Sequence, residues 1–354
     1  MTLQDRSIWP AIGAYIAPQI GATSMTLTSA SRMPGGAVQE NWRVEADVVG
    51  GALVGSQRWV LRTEAAARLP VSLDASAEAL VLTAAQVVGV SVPKPLAESD
   101  AQGPLGRSFV VQSWLEGTAN GRLIARDPDL KDYGKSLAEE LARQLALIHR
   151  LTPTAGNALA WLPVPIQSPA KAEVARFRGV LTKAGDQRPA LEYVLDWLDA
   201  NAPPATPLVL VHGDFRTGNY LIHRGKLTGI LDWEFAHWGD PHEDIGWFTA
   251  RCWRFGNEQL AAGGIAHIDD FLAAYTAAGG CAVAPDQLRY WQILAAAKWA
   301  TIAVLQGDRL RIGGERKLEL ALTGLMPAEM EHDALSEIIA WTGEKDGKGG
   351  PQWP

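Results

Sequence analysis

The sequence has few cysteines, no excess of positive charge and no long hydrophobic run, and each shortage excludes a class of protein. Only two cysteines, Cys252 and Cys281, occur among 354 residues. One disulfide at most could form, so a reduced, cytoplasmic protein is favoured over a disulfide-stabilised secreted one. The net charge is −7 and the isoelectric point is near 5.6, which disfavours electrostatic binding to nucleic acid.

Membrane attachment is disfavoured as well. The longest apolar helix candidate, 294–305, contains Lys298 and is too short to span a bilayer. The first residues, from Met1 to Arg6, show neither the basic nor the apolar region of a signal peptide. Hydrophobic residues make up 47% of the chain and charged residues 20%, as in an ordinary globular protein, and the length favours two lobes.

Hydrophobic periodicity divides the chain into a β-rich first part and a helical second part. Alternating apolar and polar residues predict a strand at 41–49, and further strands are expected at 24–32, 58–62 and 108–112, with a helix at 75–87. Further helices are expected at 187–200, 267–278, 285–305 and 327–341. Ser136 and Glu139 fit a capping box at the start of another amphipathic helix.

Three polar residues, two carboxylates and one amide, accompany two short apolar runs. Asp214 comes after the run at 207–211, Asn219 is five residues further on, and Asp232 ends the run at 227–231. Phosphoryl transfer requires a carboxylate that accepts the hydroxyl proton, and an Asn and an Asp that hold Mg²⁺ against nucleotide phosphates. Each residue alone would be interpreted as part of a turn, but the spacing of the three favours catalysis.

Three motifs in this order resemble the aminoglycoside phosphotransferase and choline kinase superfamily. They extend from His212 to Asn219, from Leu231 to Glu234 and from Gly239 to Asp244. The amino-acid sequences of these motifs are most similar to those of the kinase-like domains associated with some acyl-CoA dehydrogenases. The resemblance implies an α+β, bilobal protein-kinase-like fold, with a small antiparallel-β N-terminal lobe and a larger, mostly helical C-terminal lobe.

The resemblance also assigns roles to individual residues. Asp214 is expected to be the catalytic base, and Arg216 to face the transferred phosphate with its planar donor fork. Asn219 and Asp232 are expected to bind Mg²⁺, which prefers oxygen ligands. Glu234 is either a contact to a second metal ion or a solvated carboxylate. The alternative for Arg216 is a surface ion pair.

Nucleotide binding is expected in the first lobe and at its exit. Arg62 and Glu78 resemble the ion pair that orients the α and β phosphates, although most kinases carry Lys at the first position; a simple salt bridge is the alternative. Gly35 and Gly36 are either a phosphate flap or an ordinary turn. The longer protein-kinase glycine pattern is absent.

Residues at the predicted hinge and near the motifs complete the expected site. Gln112, Ser113 and Leu115 are expected to contact adenine through backbone groups, or else to form a plain interlobe linker. His212 and Asp244 are expected to give structural support, with Asp244 accepting backbone N–H bonds from the catalytic loop.

Two other patterns are weaker indications. The tripeptide at 134–136 resembles the end of a P-loop, but Asp129 stands where the first glycine is required. Histidines near carboxylates suggest a zinc hydrolase, yet they lack the paired helical spacing of such enzymes: they are His212, His223, His237 and His242.

The sequence therefore predicts a nucleotide-covering lobe at 1–116, a catalytic and acceptor-binding lobe at 117–342 and a disordered tail at 343–354. The expected activity is Mg²⁺-dependent transfer of the γ-phosphate of ATP to the hydroxyl of a small molecule. By resemblance, that acceptor is a hydroxyacyl thioester or a related hydroxylated metabolite. An aminoglycoside or other antibiotic phosphotransferase, and a non-catalytic nucleotide-binding pseudokinase, remain alternatives. A monomer or homodimer is expected.

Overall fold

The computed structural model describes residues 2–33, 39–64, 72–154, 158–185 and 187–345. The candidate flap residues Gly35 and Gly36 lie outside the described residues. The last described helix ends at Lys345, so residues 343–345 of the predicted tail are helical, and the rest of that tail lies outside the described residues.

One antiparallel sheet forms the N-terminal part, with the strand order β1-β2-β3-β5-β4. Its strands are β1 (Ser24–Arg32), β2 (Gln39–Val49), β3 (Gly55–Glu64), β4 (Pro95–Ser99) and β5 (Phe109–Ser113). Trp42, Val44 and Val48 alternate onto the buried face, as the sequence predicts. Strand β4 was not predicted, because a proline normally interrupts a strand. Pro95 is the first residue of β4, which lies at the edge of the sheet, where a missing N–H is tolerated.

Two helices accompany this sheet, α1 (Trp9–Ile16) and α2 (Ala75–Val87). The Asp74 side chain caps α2 by accepting from Ala77 N at 2.7 Å. The apolar side of α2, including Val81, belongs to the hydrophobic core of the helical part. Helix α2 therefore connects the predicted first lobe to the second, and its Glu78 points toward β3.

The rest of the described chain is mostly helical. Its helices are α3 (Gly121–Ala125), α4 (Leu130–Ile148), α5 (Pro169–Ala184), α6 (Pro189–Ala200), α7 (Pro241–Thr249), α8 (Ile268–Ala277), α9 (Pro285–Arg311), α10 (Leu318–Thr323) and α11 (Pro327–Lys345). Two antiparallel strand pairs lie between them: β6 (Val209–Val211) with β9 (His237–Gly239), and β7 (Tyr220–His223) with β8 (Lys226–Ile230).

The predicted capping box is wrong. Helix α4 begins at Leu130, so Ser136 lies inside it, and the Ser136 hydroxyl donates to the Tyr133 carbonyl at 2.9 Å. Leu130 and Leu137 are both buried, which means that the apolar stripe starts two turns earlier than the polar pattern suggests. A serine that bonds back to a preceding carbonyl is compatible with a helix interior.

Both cysteines are free thiols. Burial raises the pKa of the Cys252 thiol, which keeps it protonated and poorly nucleophilic. No helix among the described residues is both long enough and apolar enough to cross a membrane.

Candidate active site

The loop after β6 carries the proposed base and depends on one glycine. Gly213 has a φ of +77°, and a Cβ at this position would lie 2.4 Å from the Phe235 carbonyl oxygen. Only glycine combines this backbone conformation with such a close approach. The turn directs the next side chain, that of Asp214, back toward α7 and β7.

The Asp214 carboxylate is surrounded by donors and is only 15% exposed. Its Oδ1 accepts from Trp247 Nε1 at 2.7 Å and from Arg216 Nε at 3.1 Å. Its Oδ2 accepts from Asn219 Nδ2 at 2.5 Å. These bonds hold the carboxylate in one orientation, and they suit its ionised form, which is an acceptor only.

A backbone hydrogen bond ties Asn219 to the residue that precedes Asp232. Leu231 N donates to the Asn219 carbonyl at 2.8 Å. The buried Asn219 amide donates to Asp214, so its side-chain oxygen can serve a second partner. Asp232 follows β8 in the left-handed conformation, with φ 60° and ψ 61°, and its side chain is 43% exposed. Such backbone strain is concentrated at functional sites.

Arg62 connects the sheet to this loop. Its Nη1 donates to Glu78 Oε1 at 2.7 Å and its Nη2 to Asp232 Oδ1 at 3.2 Å. Burial alone would lower the pKa of Arg62, but the charges of Glu78 and Asp232 outweigh it and raise the pKa. The structure therefore brings a strand residue, a helix residue and a loop residue of the predicted set into one cluster.

Glu234 is a further acidic group of the cluster. Its Oε2 is buried and has no hydrogen-bond partner within the part of the chain that the structure describes. Burial, followed by the charges of Asp232 and Glu78, raises the pKa of Glu234 to about 8. A buried, unpaired carboxylate oxygen beside two other carboxylates is costly, and a divalent cation held by oxygen atoms would remove that cost. The donor set thus fits Mg²⁺.

Asp244 and His212 hold the loop from behind. The fully buried Asp244 accepts from the backbone N–H groups of His212 at 2.7 Å and of Gly213 at 2.9 Å, which are the contacts that the sequence predicts. Burial lowers the pKa of His212. The neutral ring donates through Nε2 to the Leu231 carbonyl and accepts at Nδ1 from Asp214 N, so it joins the two proposed catalytic segments.

A model of the phosphotransferase enzyme family matches residues 29–291, a range that contains all of these contacts. The chain belongs to this family. Mouse acyl-CoA dehydrogenase family member 10 is 27% identical over 189 residues, covering 50% of this chain but 17% of the mouse protein. The rat family member 11 is 29% identical over 208 residues, covering 54% of this chain and 25% of its own length. The chain therefore spans a quarter or less of these two relatives.

This chain covers most of the length of two other similar proteins, which carry phosphotransferase names. Viomycin phosphotransferase of Streptomyces vinaceus is 30% identical over 242 residues, covering 65% of this chain and 75% of that enzyme. The crystal structure of a candidate aminoglycoside phosphotransferase of Ralstonia eutropha superposes with a TM-score of 0.73 at 20% identity, covering 92% of this chain and 97% of that one. The predicted α+β, protein-kinase-like fold is confirmed, in a chain that the family model places among the phosphotransferases.

A solved complex of the same fold contains a nucleotide. The thermostable mutant of aminoglycoside phosphotransferase APH(4)-Ia, crystallised with AMP-PNP and hygromycin B, superposes with a TM-score of 0.56 at 13% identity, covering 93% of this chain and 97% of that one. That protein therefore holds AMP-PNP and hygromycin B in one complex.

The predicted hinge of the phosphotransferase lies where β5 leaves the sheet. Gln112 is buried and pairs with Val60 of β3. Ser113 exchanges two bonds with the Lys94 backbone, accepting at its hydroxyl and donating from its N–H, both at 2.9 Å. Leu115 packs over Gly229 of β8, since a Cβ there would lie 2.3 Å from its Cδ1. Gln112 and Ser113 therefore end β5, and Leu115 just beyond it contacts the strand that leads to Asp232.

The histidines near the site have protein partners on both ring nitrogens. His237 faces the Phe235 carbonyl and Glu243, and His242 faces Asp240 and the Ala282 carbonyl. Among the described residues, no group of three or more His, Cys, Asp or Glu side chains is arranged around a metal position. His212, His237 and His242 of the phosphotransferase thus have structural partners within the protein.

Sequence reasoning missed two residues that contact the catalytic loop. Trp247 of α7 donates to Asp214, and Lys298 of α9 donates from Nζ to the Gly213 carbonyl at 2.5 Å. The signal for Lys298 was a single cation in an otherwise apolar helix, which needs a partner when it is buried. Trp247 gave no signal, because a tryptophan on a buried helix normally indicates packing.

The pair formed by His242 and Asp240 at the start of α7 should make the stability of the protein depend on pH. His242 donates from Nδ1 to Asp240 Oδ1 at 2.7 Å and from Nε2 to the Ala282 carbonyl at 3.2 Å. Burial alone would lower the pKa of His242, but the bond to Asp240 raises it to about 10. This stabilisation is complete below the unfolded value of about 6.5 and is lost as the pH rises through the folded value.

We expect His242→Gln to be less stable than the parent by about 1–3 kcal/mol at pH 6, with a smaller difference above the folded pKa. Urea unfolding across this pH series measures both proteins. A difference that stays constant over the whole series would contradict a charged His242.

Proposed function

We propose that this phosphotransferase transfers the γ-phosphate of ATP to a hydroxyl group of a small acceptor, with Asp214 as the base. The observation that supports this proposal is the hydrogen-bonded set formed by Asp214, Asn219 and Arg216, adjacent to Asp232. Arg62 and Glu78 extend it to the sheet. Three oxygen-bearing side chains thus converge where the two parts of the molecule meet.

Each residue has a role that its contacts support. Asp214 accepts the hydroxyl proton and orients the oxygen for attack. Arg216 is held by Asp214 and lies over the Trp253 ring, 4.3 Å from its centroid, so its guanidinium is fixed for contact with the transferred phosphate. The oxygens of Asn219 and Asp232 would hold Mg²⁺, which when bound neutralises charge on the β and γ phosphates.

The proposal assigns a different function to each lobe. The lobe at 1–116 covers the nucleotide, Gln112 to Leu115 contact adenine, and the lobe at 117–342 binds the acceptor. Arg62 aligns the phosphates and is itself held by Glu78. A cytoplasmic location, where ATP and Mg²⁺ are abundant, is consistent with the two free thiols.

For the acceptor we propose a hydroxyacyl thioester or a related hydroxylated metabolite. The likeness to two acyl-CoA dehydrogenase family members supports this class. The surroundings of Asp214 are aromatic, since Trp247 contacts it and Trp253 lies against Arg216. These aromatic side chains offer apolar contact area to an acyl chain. The likeness to viomycin phosphotransferase makes an antibiotic acceptor the second candidate.

A screen of ADP release decides between these acceptors. The protein is assayed with Mg²⁺-ATP against hydroxyacyl thioesters, free hydroxy acids and aminoglycoside or peptide antibiotics, with Asp214→Asn as the matched control. We expect turnover that depends on Asp214 with a hydroxyacyl compound. Turnover with antibiotics alone would replace this acceptor class, and nucleotide binding without turnover on any acceptor would favour a pseudokinase.

Metal dependence gives a separate prediction. At about 100 times its dissociation constant, a bound nucleotide stabilises a protein by about 2.7 kcal/mol, so Mg²⁺-ATP should raise the midpoint of thermal unfolding. We expect EDTA to abolish most of this rise, and Asp232→Asn to reduce turnover by about 100-fold or more. Glu319→Gln, on α10, is the control. Full stabilisation by ATP in EDTA would argue against the proposed metal ligands.

A further inference from the structure

The proposed base has a hydrogen-bond donor that lies outside the catalytic loop. Trp247 Nε1 donates to Asp214 Oδ1 at 2.7 Å, and Arg216 Nε donates to the same oxygen at 3.1 Å. An ionised carboxylate offers about two lone-pair directions on each oxygen. Trp247 and Arg216 therefore occupy both directions of Oδ1.

The other oxygen has room for one more donor. Asp214 Oδ2 accepts from Asn219 Nδ2 at 2.5 Å, and its second contact is the same Arg216 Nε–H at a longer 3.3 Å. An incoming hydroxyl can therefore donate to Oδ2 without displacing a well-formed bond. The base is thereby asymmetric, with one oxygen engaged by the protein and the other open to an acceptor.

We propose that Trp247 is a positioning residue that engages Oδ1 of Asp214 and so directs the acceptor hydroxyl to Oδ2. This inference rests on the proposed function, in which Asp214 is the base. Without the indole N–H, the carboxylate could rotate about its χ2 bond, because the remaining donors come from a single loop. The orientation of the carboxylate that aligns the acceptor hydroxyl for attack is then adopted only part of the time.

The indole is held firmly enough for this role. Trp247 is 2% exposed and lies on α7, the helix whose Asp244 anchors the same loop. Lys298 Nζ lies 4.6 Å from the centroid of the Trp247 ring while donating to the Gly213 carbonyl. Gly246 allows α7 to approach α9 closely, since a Cβ there would lie 2.6 Å from the Trp291 Cβ. Helix α7 therefore fixes the position and orientation of the Trp247 indole N–H relative to Asp214.

The same aromatic cluster contains a matched control. Trp299 packs edge-on against Trp247, with ring centroids 6.4 Å apart. Its buried Nε1 has no hydrogen-bond partner among the described residues. Replacing either tryptophan by Phe removes similar apolar area, but only Trp247→Phe removes a hydrogen bond to the base.

The kinetic test uses the acceptor identified by the ADP-release screen. We expect Trp247→Phe to lower kcat by about 10- to 100-fold, the range for one hydrogen bond to a charged group, while the KM for ATP stays unchanged. Trp299→Phe should retain the parent kcat. If Trp247→Phe keeps the parent kcat while Asp214→Asn loses turnover, the inference fails and the proposed function stands. If Asp214→Asn keeps turnover, the proposed function itself fails.

A spectroscopic test needs neither an acceptor nor an active variant. In the protein labelled with ¹⁵N-tryptophan, the indole N–H bound to a carboxylate should resonate downfield, and Asp214→Asn should shift that resonance most. Trp247→Phe should delete it, and Trp299→Phe should leave it in place. If Trp247→Phe does not fold, the comparison of the parent with Asp214→Asn still decides. No indole resonance responding to Asp214→Asn would overturn the inference.

Discussion

Asp214→Asn is expected to lower kcat by about 10²- to 10⁴-fold, the contribution of a positioned general base. The substituted side chain has the same shape but cannot take up the hydroxyl proton. Asp214 contacts Arg216, Asn219 and Trp247, whereas Arg62 and Asp232, proposed to contact the nucleotide and its metal, contact each other. We expect the affinity for ATP to change little, because the proposed phosphate and metal contacts are made by other residues.

The measurement is steady-state ADP release combined with a thermal shift by Mg²⁺-ATP. Asp196→Asn is the matched control, because this carboxylate is 69% exposed and paired with Arg178 on the helical surface; it should retain the parent kcat. An Asp214→Asn enzyme with kcat within a few-fold of the parent would show that Asp214 is not the base.

Arg62→Met is expected to destabilise the protein by about 3–5 kcal/mol, the cost of removing one partner of a buried ion pair. Glu78 is 1% exposed, and Arg62 lies between it and Asp232. Removing the guanidinium leaves these carboxylates and Glu234 facing one another without that counter-charge. We also expect a large loss of ATP affinity, because the residue proposed to align the phosphates is missing.

A second substitution separates charge from packing. Arg62→Met combined with Glu78→Gln should be more stable than Arg62→Met alone, since the buried charge is then neutral. Arg62→Lys, which restores the residue of most kinases, should recover part of the ATP affinity. Urea unfolding and ATP titration measure these effects. A single Arg62→Met variant as stable as the parent would mean that Arg62 does not compensate Glu78.

Local sequence signals predicted most of the elements that carry the site. The alternation in β2 and the bounds of α2 agree with the structure because side-chain periodicity is a short-range property. The predicted start of α4 was wrong because the capping-box pattern at Ser136 and Glu139 was given more weight than the apolar stripe, which already begins at Leu130. Strand β4 was missed because it exists only as a partner of β5.

The sequence by itself determined the family, the order of the motifs and the residue types of the site, since phosphoryl transfer restricts which side chains can serve. Only the tertiary structure decided which residues position the base. Trp247 reaches Asp214 across 33 residues, and Lys298 reaches Gly213 across 85. Such contacts depend on how α7 and α9 pack against the loop after β6. No local pattern encodes that packing, because it follows from burial of the whole core.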